Sequence, residues 1–198
     1  IGYPDGLSIQ RTYDSDGRLD VVKNGSQIIA DLDWTGLRVS RRTLGAGSLV
    51  SASSFDAIGR LTGLTWTQQP GNTTLRGFTY SWDAANRLRY EARSDLSGQG
   101  DVYRYDSLSR VVDSRSAVPS PAAEVSNPGG QSWSKNFSYS LDGAMNRTSD
   151  TRTTWPSTLT TTAYSHDVRN RYTSVGSTTR TYSANGELLS DGTYTYAY

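Results

Sequence analysis

The sequence contains no cysteine, one histidine, one methionine and only two lysines among its 20 basic residues. Without cysteine the chain has no disulfide framework, no thiolate zinc site, no iron–sulfur cluster and no cysteine nucleophile. Its 20 basic and 19 acidic residues leave a formal net charge of +1, which excludes strong electrostatic attraction to nucleic acid or to an anionic membrane. No apolar run approaches the ~18 residues that a membrane-spanning helix needs.

Hydroxyl and aromatic side chains dominate instead. The 28 serines and 23 threonines make up about a quarter of the 198 residues, and 13 tyrosines and five tryptophans supply apolar area that the aliphatic residues lack. Residues of this kind favour strands and turns over helices. The composition therefore predicts a folded, nearly all-β chain, and no segment has the pattern of an amphipathic helix.

A seven-residue motif recurs along the chain, and such internal repetition indicates an array of similar structural units. It consists of an aromatic residue, an aspartate, two variable residues, a glycine or asparagine, an arginine and an aliphatic residue. Its residues are Tyr13, Asp14, Gly17, Arg18 and Leu19; Phe55, Asp56, Gly59, Arg60 and Leu61; Trp82, Asp83, Asn86, Arg87 and Leu88; Tyr105, Asp106 and Arg110; Asp142 and Arg147; Asp167, Asn170 and Arg171; and Tyr182 and Gly186. A weaker copy begins at Asp33.

The residue types of the motif predict a tight turn. Aspartate at the first position and glycine at the fourth are typical of a type I turn followed by a G1 bulge, in which the fourth residue has positive φ. Glycine and asparagine suit that backbone, whereas Ser109 suits it less well. In the Asp142 copy, Met145 stands where glycine is expected, so we predict a turn one residue longer that uses Asn146.

The residues on either side of each turn alternate between apolar and polar, as strands do. Each unit is therefore a predicted β-hairpin with one aromatic and aliphatic face and one Ser/Thr/Arg face. Because a single hairpin is only marginally stable in water, the units are expected to pair edge to edge. We predict one array of antiparallel hairpins over residues 1–198, in which the Pro/Gly-rich segment 117–130 is an extended surface loop.

The motif copies, together with the stretch from Asn170 to Tyr196, closely resemble the YD repeats of RHS proteins. That family includes bacterial polymorphic toxins, the C components of insecticidal toxin complexes and the animal teneurins. The resemblance implies a continuous β-sheet ribbon that spirals into a shell or barrel, and in bacterial members this shell commonly encloses a C-terminal toxin. It also implies a secreted or cell-surface protein, most simply bacterial, and a chain that is a piece of a longer repeat region.

The conspicuous side chains also admit chemical interpretations. Recurring aspartates are expected in turns and not in acid–base catalysis, because catalysis needs one site and not eight. The Asp14–Gly17 stretch lacks the further acidic ligands of a calcium loop. His166 is expected to be a packed ring, since no nucleophile motif accompanies it. Trp155 is the tryptophan best suited to stack on a sugar. No catalytic, cofactor or metal site is predicted.

These observations favour a non-enzymatic segment of a shell wall whose partners are the remainder of its own parent chain and an enclosed polypeptide cargo. The alternative is a cell-surface adhesion or carbohydrate-binding module with glycans as partners. A hydrolase with an unrecognised site has the least support. Neither nucleic-acid binding nor membrane insertion by this segment is expected.

Overall fold

The computed structural model describes residue 6 and residues 8–154 and 158–198. The chain divides into two compact units, residues 1–99 (unit 1) and residues 100–198 (unit 2). In the described part of both units, antiparallel strands are the dominant element, which confirms the predicted all-β hairpin fold. None of the helices found there has the length and apolar character needed to cross a bilayer.

Unit 1 consists of eight strands, each of which pairs antiparallel with the next in chain order. They are β1 (Ile9–Tyr13), β2 (Leu19–Asn24), β3 (Gln27–Thr35), β4 (Arg38–Leu44), β5 (Leu49–Phe55), β6 (Leu61–Gln68), β7 (Thr73–Trp82) and β8 (Leu88–Arg93). A 3₁₀ turn at Ser94–Leu96 follows the last strand.

Unit 2 repeats this arrangement with one helix inserted after its second strand. Its elements are β9 (Gly100–Tyr105), β10 (Val111–Val118), α1 (Pro121–Ser126), β11 (Lys135–Leu141), β12 (Arg147–Thr154), β13 (Thr158–His166), β14 (Tyr172–Val175), β15 (Thr178–Thr179), β16 (Thr181–Tyr182) and β17 (Leu188–Ser190). Strands β9 to β15 pair in chain order, and β16 pairs with β17 in a separate two-stranded sheet.

A β-bulge interrupts the strand register beside the motif turns. In the Asp56 turn, for example, the pairing shifts between Ser54 and Phe55, and the amide of Gly59 donates to the carbonyl of Asp56 at 2.9 Å. Gly59 has a φ of 83° there, as a type I turn with a G1 bulge requires. The fourth residues of the other turns also have positive φ: Gly17, Asn86, Ser109, Met145, Asn170 and Gly186.

The longer turn predicted at Asp142 is wrong. The amide of Met145 donates to the carbonyl of Asp142 at 3.2 Å, and Met145 itself has a φ of 69°. Asn146 therefore occupies the position that arginine holds in the other turns, and Arg147 stands one residue later, where an aliphatic residue is usual. The backbone keeps the common turn even though methionine has an unfavourable side chain for it, because both flanking strands are already paired.

The weak copy at Asp33 is also placed differently from the prediction. Asp33 lies within β3, opposite Arg41 of β4, and does not open a turn. The pairs Trp34–Val39 and Thr35–Arg38 close a shorter connection through Gly36. Trp34 is therefore the aromatic residue of this degenerate motif, and Thr35 replaces its aspartate.

The two faces of the unit 1 sheet differ in chemistry. Ser53, Leu64 and Phe78 lie directly opposite one another across β5, β6 and β7, and the Phe78 ring stacks on Tyr80 with centroids 6.1 Å apart. The other face carries small residues, including the opposed set Ser54, Gly63 and Thr79. The prediction of an aromatic face and a hydroxyl face therefore describes these strands.

Arginines depart from that prediction because they occupy both faces of unit 1. Arg76 lies opposite Trp66 and Arg93 lies opposite Phe78, so both belong to the aromatic face. Arg41 lies opposite Ala52 on the hydroxyl face. Arg76 and Arg93 both pair with Asp95 of the 3₁₀ turn, at 3.3 Å and 2.8 Å, and this shared carboxylate accounts for their placement among the rings.

Little of the apolar surface is fully buried. The buried hydrophobic side chains among the described residues are Val50 in unit 1 and Val102 and Val118 in unit 2. The aromatic side chains are mostly half-buried within a single layer of strands. The stability of each unit must therefore come largely from strand pairing and from contacts between neighbouring hairpins, as in other repeat proteins.

Segment 117–130 differs from the extended surface loop that its composition favoured. Residues 121–126 form α1, which packs against β9. The side chain of Glu124 is completely buried and accepts hydrogen bonds from Arg104 at 2.6 Å and from Arg115. A buried carboxylate held by two guanidiniums explains why this segment is ordered despite its three prolines and its Gly-Gly pair.

Replacing Met145 by glycine should stabilise the chain. The methionine side chain is 70% exposed, so its loss removes little packing, and the change relieves a left-handed backbone. That strain is about 1–2 kcal/mol, from which the extra freedom of glycine in the unfolded chain subtracts about 0.4–1 kcal/mol. We expect a net gain of about 0.5–1 kcal/mol in denaturant unfolding, and no gain from Met145→Ala, which keeps the strain.

Candidate functional site

Each motif turn is closed around the carboxylate of its aspartate. In the Asp83 turn, Oδ1 accepts the amide of Ala85 at 2.8 Å and the amide of Arg87 at 2.9 Å, and Oδ2 accepts Nε of Arg87 at 2.6 Å. The same three hydrogen bonds recur around Asp14, Asp56, Asp106 and Asp167. The carboxylate thus satisfies backbone donors of the turn and fixes the direction of the arginine.

The arginines reach from one hairpin to the next. Arg60 donates from Nη1 to the backbone carbonyl of Asp83 at 2.7 Å, and Arg110 donates in the same way to the carbonyl of Asp142 at 2.7 Å. Arg18 makes the equivalent bond to the carbonyl of Gly36. One guanidinium therefore joins its own turn to the following turn, which a lysine could not do with the same planar geometry.

The aromatic residue of the following hairpin returns a hydrogen bond. Nε1 of Trp34 donates to the carbonyl of Leu19 at 2.8 Å, and Nε1 of Trp82 donates to the carbonyl of Leu61 at 2.7 Å. The arginine of the first turn also packs over this ring, with Arg18 5.7 Å from the Trp34 centroid. We call this set of contacts between consecutive turns the turn clamp.

The C-terminal hairpins of unit 2 form two of the turn-clamp contacts, with tyrosine in the place of tryptophan. The hydroxyl of Tyr182 donates to the carbonyl of Tyr172 at 3.0 Å, and Arg171 lies 4.6 Å from the centroid of the Tyr182 ring. In the Tyr182 turn itself, Ser183 holds the aspartate position and Glu187 holds the arginine position. The direction of the side-chain hydrogen bond is therefore reversed, because Ser183 Oγ donates to Glu187 Oε2 at 3.0 Å. The turn survives because the amide of Ser183 still donates to the carbonyl of Glu187 at 2.9 Å.

The turn environment lowers the pKa of the turn aspartates. For Asp14, Asp56, Asp83 and Asp106 the main cause is the backbone amide of the arginine four residues later, which stabilises the ionised carboxylate. The side chain of Arg171 is the main cause at Asp167, whose pKa falls to about 2. These carboxylates are consequently ionised under physiological conditions and suited to structure, not to proton transfer.

The Asp142 turn replaces the arginine with two other donors. Nδ2 of Asn146 lies 2.9 Å from Asp142 Oδ2 and 2.9 Å from Oδ1 of Asn170 in the next turn, so a neutral amide bridges the two turns. Nε2 of His166 also lies 2.9 Å from Asp142 Oδ2. Sequence reasoning expected a packed histidine ring and did not foresee this carboxylate contact.

Arg147, displaced from the turn, joins a cluster of tyrosines on unit 2. Its guanidinium lies 5.0 Å from the Tyr139 ring centroid and 5.4 Å from that of Tyr164. Nη1 of Arg147 lies 3.2 Å from Oδ2 of the buried Asp150, which also accepts the Tyr164 hydroxyl at 2.7 Å. The hydrogen bond that Nη1 of Arg147 donates to the Tyr164 hydroxyl is the main cause of the raised pKa of Arg147. The cluster therefore holds this junction in place of the turn clamp.

Glu124 is the other buried acid that sequence reasoning missed. Burial alone would raise its pKa, but the amides of Gly129 and Gln131 and the charges of Arg115 and Arg104 outweigh burial and lower it. No period or motif marks Glu124 in the sequence; only its position one turn into a proline-initiated helix could have suggested that it points inward.

No observation assigns a catalytic, metal or sugar site. The described residues contain no group of three or more acidic or histidine side chains that could hold a metal ion. Trp34 and Trp82 use their indole N–H groups inside the turn clamp. Trp155, which the sequence marked for sugar stacking, lies outside the described residues.

The fold resembles two solved structures. One is the crystal structure of TcdB2-TccC3-Cdc42, which matches with 15% sequence identity and a TM-score of 0.60 over 93% of this chain. The other is TcdB2-TccC3 without the hypervariable C-terminal region, with 15% identity and a TM-score of 0.61 over 93% of this chain. What the chains share is a fold. In both cases the chain spans 11% of the length of the solved structure.

No protein-family model matches the sequence, and no curated protein matches it either. The structural likeness and the repeated turn are therefore the two observations from which the function is inferred. The predicted motif residues lie together at the turns. Arg147 is the exception, because its side chain lies in the tyrosine cluster and not in the Asp142 turn.

Removing the turn carboxylate should destabilise the chain more than removing its charge alone. Asp83→Ala deletes all three hydrogen bonds, whereas Asp83→Asn keeps an oxygen for the backbone amides and loses the ion pair with Arg87. We expect the midpoint of thermal unfolding to be lowest for Asp83→Ala, intermediate for Asp83→Asn and highest for the unchanged chain. Asp33→Ala is the matched control, and an equal loss in that variant would contradict the assignment.

Acid should weaken the turns over a defined range. Because the pKa of Asp167 falls from 3.8 to about 2 on folding, the folded state prefers the ionised carboxylate. That stabilisation is complete above the unfolded pKa and is lost as pH falls through the folded pKa. The free energy of unfolding, measured with a chemical denaturant, should decrease as the pH falls from 4 to 2. The decrease should be smaller in Asp167→Asn, which lacks this carboxylate. A stability that stays constant over this range would refute the explanation.

Proposed function

We propose that this chain is a non-enzymatic segment of the wall of an RHS/YD-repeat shell, and that this shell encloses a polypeptide cargo. The observation that carries the proposal is the likeness in fold to TcdB2-TccC3 over 93% of the chain. The recurrence of one turn with the aspartate and arginine of a YD repeat supports it independently, because this turn is a local feature that a general β-sheet does not need.

The role of such a segment is mechanical. Hairpins joined by the turn clamp form a sheet whose neighbours hold one another, and a wall built in this way separates what lies on its two sides. In unit 1 the hydroxyl face carries small groups such as Ser54, Gly63 and Thr79, together with the charged Arg41. We propose that this face lines the cavity, since it gives an unfolded chain few large apolar surfaces to hold on to.

The partners that follow from this role are the rest of the parent chain and a cargo such as a C-terminal toxin domain. The protein would then act outside the producing cell or at its surface. No cofactor is needed, since enclosure and release require no bond to be made or broken by the wall. Cell adhesion through glycans is the alternative, and a wall that leaves its cargo open to protease would favour it.

Protease protection tests the proposal directly. In the intact parent protein, the cargo segment should resist an added protease under conditions in which the isolated cargo is cut. A triple variant, Asp56→Ala, Asp83→Ala and Asp106→Ala, tests the role of the wall because it removes three turn carboxylates and leaves the sequence of the cargo unchanged. In this variant the protease should cleave the cargo faster.

Asp33→Ala in the parent protein serves as the matched control, because Asp33 lies in a strand and holds no turn. Protection in this control and its loss in the triple variant would support enclosure. Cleavage of the cargo in the unchanged parent at the rate of the isolated cargo would overturn it.

A further inference from the structure

One arginine of unit 1 holds a motif position but lacks the motif carboxylate. Trp34 pairs with Val39 as Trp82 pairs with Leu88, so Arg38 corresponds to Arg87 and Thr35 corresponds to Asp83. The connection between Thr35 and Arg38 is one residue shorter than the other turns. A threonine thus stands where the arginine would normally find its aspartate.

Arg38 otherwise behaves as a motif arginine. Its guanidinium lies 5.7 Å from the Phe55 centroid, the same distance that separates Arg18 from the Trp34 centroid. The two arginines differ in their polar contacts, because Nε of Arg18 also lies 2.8 Å from a carboxylate oxygen of Asp14. Within the described part of the chain, the side chain of Arg38 makes no ion pair and no hydrogen bond, so the donors of its guanidinium are open.

Arg38 lines an open cavity of about 320 Å³. Thr35, Arg38, Phe55, Ile58 and Gly59 are among the residues that line it. A Cβ atom on Gly59 would come within 2.5 Å of Cζ of Arg38, so a larger residue at position 59 would displace the guanidinium from this place. The glycine lets the guanidinium lie flat against the turn, beside the Phe55 ring and the side chain of Ile58, which is 67% exposed.

The one carboxylate in the cavity wall does not neutralise Arg38. Oδ2 of Asp56 accepts Nε of Arg60 at 2.6 Å, and its Oδ1 accepts the amides of Ile58 and Arg60 at 3.1 and 2.8 Å. Asp56 is therefore occupied by its own turn. The cavity combines one unpaired planar cation with an aromatic ring and an aliphatic side chain.

We propose that this cavity binds a carboxylate joined to an apolar group. The carboxylate takes the place of the missing motif aspartate and receives two parallel hydrogen bonds from Arg38, and the apolar part rests on Phe55 and Ile58. The other turns show that a carboxylate fits this arginine position, with Nε–Oδ2 distances of 2.6 Å at Arg60 and Arg87. The ligand is a free organic acid or the carboxylate of a peptide, and the site does not depend on enclosure of a cargo.

Side-chain NMR of the arginine Nε–Hε groups in the 198-residue chain tests the proposal. Acetate and phenylacetate are titrated at constant ionic strength, with chloride as the reference anion. We expect a saturable shift of the Arg38 signal, with phenylacetate at least about threefold tighter than acetate because its ring buries apolar area. Two peptides that differ only in a C-terminal acid or amide then separate a peptide carboxylate from a free acid as the better ligand.

Two variants and one control decide the outcome. Arg38→Lys keeps the charge but loses the planar fork, so binding should weaken at least about threefold. Because this variant has no arginine signal at position 38, its affinity is followed by the backbone amide shifts of Ile58 and Gly59, which line the cavity. Thr35→Asp places a carboxylate directly opposite Arg38 and should abolish binding by filling the place internally. Arg89→Lys changes an exposed arginine elsewhere in unit 1 and should leave the affinity unchanged.

The variants also separate a lost site from a lost fold, since a backbone amide spectrum shows whether each one remains folded. A folded Thr35→Asp chain that binds phenylacetate like the unchanged chain would overturn the proposal. Equal shifts at Arg38 and Arg89, or no saturable shift at Arg38, would overturn it as well.

Discussion

An ionised aspartate that accepts two backbone amides and one guanidinium is the interaction on which the rest of the structure depends. The described part of the chain has almost no buried hydrophobic core, with Val50 in one unit and Val102 and Val118 in the other. Strands in a single layer keep their register only if their turns do. The carboxylate supplies that constraint locally, and the arginine that it orients extends the constraint to the neighbouring hairpin.

The contacts between turns make stability a property of neighbours. Arg60 holds a carbonyl of the next turn while Trp82 holds a carbonyl of the preceding one, so each hairpin is fixed by the hairpins beside it. Where one contact is missing, another group replaces it. Asn146 with His166, and the cluster around Arg147 and Asp150, show that the junction can be kept with different chemistry.

Sequence patterns could predict the hairpins, their turn positions and the two chemically different faces, because these depend on local residue types and on period-two alternation. They failed where the backbone outweighs residue preference. Met145 adopts a left-handed conformation despite its side chain, and this shifts Asn146 into the arginine position. They also missed Glu124, since the groups that accommodate its charge are supplied by Arg104 and Arg115 from other strands, which no local pattern reveals.

In the described part of the chain, the motif turns lie at the connections that follow odd-numbered strands of the two units or within the β16–β17 pair, and the alternate connections carry no motif turn. Most of the difference between the 36 residues from Asp106 to Asp142 and the 25 from Asp142 to Asp167 falls in such an alternate connection, where α1 is inserted. Lengthening the chain there alters no clamp. Evolution can therefore elaborate one margin of such a sheet, with helices or binding loops, while the opposite margin keeps the spacing of the hairpins unchanged.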